Sequence, residues 1–104
     1  MKINLLLFIS SANDPDEHAA LIKTFESTFR PVQGDIIDDP GFHPGFHNGY
    51  EVVKVTINYA SDECWVSLAP LAIENEEIKI ETYLKKLADN GWHEITKEEL
   101  QSTN

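Results

Sequence analysis

Aspartate and histidine gather in one stretch of this chain. Asp35, Asp38, Asp39, His43 and His47 fall within 13 residues. Carboxylate oxygens and imidazole nitrogens are the donors that a divalent transition ion takes. His43 and His47 stand four apart, the spacing at which two histidines share one face of a metal-binding helix. Pro44 and the neighbouring glycines forbid that helix. A metal-binding domain on the Asp/His-rich loop 35–49, with Asp38, Asp39, His43 and His47 as ligands, is therefore the alternative reading, and no metal or other cofactor belongs to the leading one.

Nucleophilic catalysis is the second chemistry the residue types allow. One cysteine and four histidines are present, and a thiolate beside an imidazole is a nucleophile. Cys64, however, alternates with apolar strand residues, and a free cysteine in such a place behaves as a small hydrophobe. No glycine-rich nucleophile elbow, phosphate loop or acid–base pair at a recognised spacing accompanies it. The chain reads as a non-enzyme.

Recognition is the third. Period-two alternation puts Trp65 on a polar strand face with Thr56, Asn58 and Ser67. An indole among small polar side chains is an interface anchor unless a helix or the long loop covers it. Asp35, Asp38 and Asp39, and also Asp62 and Glu63, lie at strand ends and turns, where their charges can steer a basic partner. The net charge of −10, from 18 acidic and 8 basic residues, disfavours nucleic acid and anionic membrane, both polyanions.

The elements that must carry these residues fit one domain, 1–104. Its 41% hydrophobic content is enough for a core without disulfides or metal. A lone cysteine requires no oxidising compartment, and a cytoplasmic location is expected. No run of about 18 apolar residues is available to span a membrane. The amino end, MKINLLLFISSA, loosely mimics a secretory signal but is short against the usual ~15–30 residues; a strand over 2–9, covered on both faces, is expected there.

Asp14 as N-cap, Pro15 at the first helical position and Leu21, Ile22, Phe25 and Phe29 at helical spacing predict a helix that Pro31 ends. Val32, Ile36 and Ile37 predict a short strand, and residues 38–49 a long irregular loop with tandem Pro-Gly-Phe-His repeats. Residues 50–73 then read as a hairpin around Ala60–Glu63, with Tyr59 opposite Cys64, Ile57 opposite Val66 and Val55 opposite Leu68. Its core face is Val53, Val55, Ile57, Val66 and Leu68. Asn75 begins a second helix with Ile80, Tyr83, Leu84 and Leu87 as its stripe. Gly91 stops it in a left-handed conformation, and Trp92 packs back. Trp92–Ile95 allows a terminal edge strand, and Thr96 with Glu99 a last capped turn.

The order β-α-β-loop-β-β-α, with that terminal β, predicts an α+β fold: a mainly antiparallel sheet with two helices packed against it. The leading functional expectation is a small acidic protein-binding domain. Its most concrete form is a bacterial immunity-type inhibitor that covers the basic active-site cleft of a nuclease toxin. Asp35, Asp38, Asp39, His43, His47, Asp62, Glu63 and Trp65 are its expected contacts. A structural or assembly subunit is the remaining alternative.

Overall fold

A computed structural model describes residues 1–11, 18–42, 49–73 and 79–95. These form β1 (Lys2–Ser11), β2 (His18–Glu26), β3 (Ile36–Ile37), β4 (Tyr50–Asn58), β5 (Glu63–Leu68), β6 (Leu71–Ile73), α1 (Ile80–Asp89) and β7 (His93–Glu94). The strands make a single sheet in the order β3-β4-β5-β1-β2-β7, with β6 also on β1. It curls into a half-barrel. This overturns the expected α+β fold with two helices packed on an antiparallel sheet: the described residues hold one helix, and the sheet is mixed, since β1 runs parallel to both β5 and β6.

The largest correction is β2. The predicted helix over this stretch is a strand, paired antiparallel with β1 from Lys2↔Glu26 to Ser10↔His18. The apolar residues mimic a helical stripe because Leu21 and Ile22 are both buried, each on a different side of the sheet. A strand covered on both faces loses its alternation. Phe25, opposite Ile3 on the core side, is partly exposed, and Phe29, beyond the end of β2, is 80% exposed, so the last two members of the supposed stripe are not buried. The cap residues Asp14 and Pro15 lie outside the described residues.

β1 matches expectation. Ile3, Leu5, Leu7 and Ile9 fill one face and are fully buried, while Asn4 and Leu6 are buried on the other. The hairpin β4–β5 forms, but two residues out of the expected register: Ile57 faces Cys64 and Val55 faces Val66. A two-residue slide keeps every side chain on its own face. The turn sets the slide. Asn58 Oδ1 accepts from the amides of Ala60 (3.0 Å) and Ser61 (3.3 Å), and Asp62 adopts φ 53°, which aspartate tolerates better than most residues. A bulge between Val52 and Lys54 then swaps two valines, burying Val52 and exposing Val53.

α1 begins at Ile80, with Asn75 and its glutamates outside the described residues. Ile80, Tyr83 and Leu87 are buried against the face of β1 that carries Ile3, Leu5 and Leu7. Its end is as expected. Gly91 takes φ 93°, its amide donates to Ala88, and the Trp92 amide donates 3.0 Å to the Leu87 carbonyl. These two bonds satisfy carbonyls that a helix end leaves open. Trp92 folds back into the core, and β7 then pairs with β2 at Leu21 and Ile22. Thr96 and Glu99 lie outside the described residues. Among the described residues no helix is long and apolar enough to cross a membrane.

Candidate functional site

Among the described residues α1 is the one helix, and it leaves the sheet with unlike faces. Pairing register places Lys2, Asn4, Leu6 and Phe8 of β1 on the face away from α1. Thr24, Ile22 and Ala20 of β2 stand beside them, Glu63, Trp65 and Ser67 of β5 on the other side, and Thr56 and Asn58 of β4 beyond. His93 joins through its pairing with Ile22. Trp65 therefore lies on the sheet side opposite the helix and is half-buried.

A polar centre sits in the middle of this face. Asn4 is only 2% exposed, so its amide needs partners. It has three: Thr24 Oγ1 donates to its Oδ1 at 2.7 Å, and its Nδ2 donates to Glu63 Oε1 at 2.8 Å and to the Cys64 carbonyl at 3.3 Å. The result fixes the Glu63 carboxylate beside the Trp65 indole. Both line a cavity of about 210 Å³ together with Lys2, Ile22, His93 and Ile95. Ile95 also borders a wider, more apolar cleft of about 500 Å³ under Phe8, Ala19, Ala20 and Pro70, with Ser10, His18 and Glu94 as its polar members.

The other expected site residues are dispersed. Asp35 is exposed, and its Oδ2 accepts from the Val32 amide at 3.0 Å. Asp38 is exposed and accepts from the Asp39 amide at 2.9 Å. Asp39 is different: its side chain is 8% exposed. Its Oδ2 pairs with Lys23 Nζ at 2.6 Å, and its Oδ1 accepts from the Gly41 amide (2.8 Å) and from Trp92 Nε1 (3.0 Å). This carboxylate ties the loop to β2 and to the end of α1. Asp62 is exposed at the hairpin turn, 3.8 Å from the Met1 ammonium. His43 and His47 lie outside the described residues. Among the described residues no group of three or more His, Cys, Asp or Glu side chains could hold a metal ion.

Cys64 is fully buried in the core cluster. Burial pushes its thiol up, partly offset by the charge of Arg30, so the thiolate that nucleophilic attack needs is disfavoured. Tyr50 and Tyr83 share a buried 2.7 Å hydroxyl–hydroxyl bond. Phe42 packs edge-on to Tyr50, with ring centroids 4.6 Å apart.

Of the expected contacts, then, Glu63 and Trp65 are brought into one pocket, and Asp39 is turned inward. Sequence reasoning missed Asn4, Thr24, Lys2 and His93. Asn4 had a readable signal: it is the one amide inside the apolar run from Ile3 to Ile9, and a polar group in a doubly covered strand must find partners. Comparison of the chain with protein-family models, curated proteins and solved structures finds no match in any of the three.

Proposed function

We propose that this chain is a small acidic protein-binding module of the cytoplasm that engages a basic partner through the sheet face opposite α1. One observation carries the reading: this face presents Trp65 beside a Glu63 carboxylate whose Oε1 accepts from the buried Asn4 amide, which Thr24 in turn orients. A half-covered indole supplies contact area at little entropic cost, and a pre-oriented carboxylate supplies charge complementarity without reorganisation. The net charge of −10 adds long-range attraction for a cationic surface. In its most concrete form the module is an immunity-type inhibitor, and the basic surface it covers is the polyanion-binding cleft of a nuclease toxin.

The test is affinity capture from the native source with wild-type protein and with Trp65→Ala. A partner of basic isoelectric point that salt elutes and that the variant fails to retain is the expected result. Recovery of the same proteins by both forms overturns the assignment of this face.

A further inference from the structure

We infer that the pocket between Glu63 and Trp65 is a receptor for one arginine side chain of the partner. This rests on the reading of the face as a contact surface and names the group that it grips. The cavity, about 210 Å³, lies below the roughly 300–1,000 Å³ of small-molecule sites and suits the head of a side chain. Its chemistry selects the head. Glu63 and Trp65 stand two residues apart on one strand and so project side by side from the same face. The carboxylate offers its second oxygen while Asn4 Nδ2 holds Oε1 at 2.8 Å. Among the described residues no cation pairs with Glu63, although Lys2 also lines the pocket; the ion pairs present are those of the Met1 ammonium with Glu26 and Asp62 and of Lys23 with Asp39.

A planar guanidinium lies flat on an indole and donates in its own plane to a carboxylate at the ring edge. A lysine ammonium is a strongly hydrated point charge and cannot do both at once. Thr24 contributes as a positioning residue. Its hydroxyl, bonded to Asn4 Oδ1 at 2.7 Å, fixes the amide flip that turns Nδ2 towards Glu63.

The full chain, labelled with nitrogen-15, is titrated at constant ionic strength with N-acetyl-arginine amide, its lysine counterpart and the neutral citrulline counterpart. The Trp65 indole N–H, identified by its loss in Trp65→Phe, is followed by NMR. A saturable shift with the arginine compound is expected, several-fold weaker with lysine and absent with citrulline. Glu63→Gln keeps an oxygen for Asn4 to bond, so the fold is retained. It should weaken arginine binding about tenfold or more, the usual loss when a charge-assisted hydrogen bond becomes neutral, with the Trp92 indole signal unmoved. Equal saturation by citrulline, which needs no variant to observe, overturns the assignment, as does wild-type affinity in Glu63→Gln. If the arginine compound fails while Trp65→Ala still loses the captured partner, the pocket assignment falls and the contact face stands. If Trp65→Ala retains that partner, the face itself falls.

Discussion

At the scale of single residues, neighbours of like charge have unlike roles. Asp38 and Asp39 are adjacent and look interchangeable in sequence, yet one is exposed and the other holds a lysine, an indole and a backbone amide. Asp39→Ala leaves Trp92 Nε1 and Lys23 Nζ without their acceptor. It should lower stability by about 2–3 kcal/mol, read as a shift of the urea midpoint. Asp38→Asn should change the midpoint by no more than ~0.5 kcal/mol, while slowing association with the basic partner at low salt if surface charge steers the encounter. Sequence shows the charges but not which one meets a cation, because Lys23, Asp39 and Trp92 become neighbours only after the sheet forms. The face of Trp65 was legible for the opposite reason, since strand alternation alone sets it, whereas Glu63, expected in the turn, is the first residue of β5 and so shares that face.

At the scale of elements, what could be read depended on how far each segment's pattern is local. The end of α1 was legible in full, since Gly91 and Trp92 act within one turn. β2 was not, because Leu21, Ile22 and Phe25 satisfy a helical stripe as well as a strand buried on both sides, and only pairing with β1 decides between them. The hairpin faces were legible and its register was not, because Asn58 and Asp62 set the turn and the bulge before Lys54 exchanges Val52 for Val53. One element depends on a single atom. A Cβ on Gly49 would lie 2.1 Å from the Ile37 carbonyl oxygen, at a backbone φ of 72°. Gly49→Ala should therefore cost more than the ~1 kcal/mol of an ordinary glycine-to-alanine change at positive φ. Hydrogen exchange should show early loss of protection at Glu51 and Val52, where β4 meets β3 and the Gly34–Asp35 turn.

At the scale of the whole molecule, two buried acids link stability to alkaline pH. Burial and the neighbouring Tyr83 hydroxyl push the Tyr50 phenol above its ordinary range, and burial pushes the Cys64 thiol up as well. The unfolded chain loses these protons near pH 8.5–10, while in the folded chain both losses are moved to higher pH. Both contributions are thus complete below the unfolded values and are lost as pH rises towards the folded ones. The unfolding free energy, read from the urea midpoint, should fall between about pH 9 and pH 11, with a slope of up to ~1.4 kcal/mol per pH unit from Tyr50. Tyr50→Phe should flatten that fall above pH 10; an unchanged slope would show that the phenol ionises freely in the folded state.

The position of β1 has a consequence for synthesis. It is the innermost strand, bonded on one side to β2, which follows it directly, and on the other to β5, whose first residue is Glu63. A nascent chain extended only to Asn58 already holds β1 with its buried Ile3, Leu5, Leu7 and Ile9, one edge satisfied and the other open to any passing backbone. That edge is completed only when β5 and then β6, ending at Ile73, have been made, so the interval between translating residue 11 and residue 73 is the one in which the chain is most exposed to wrong strand pairing.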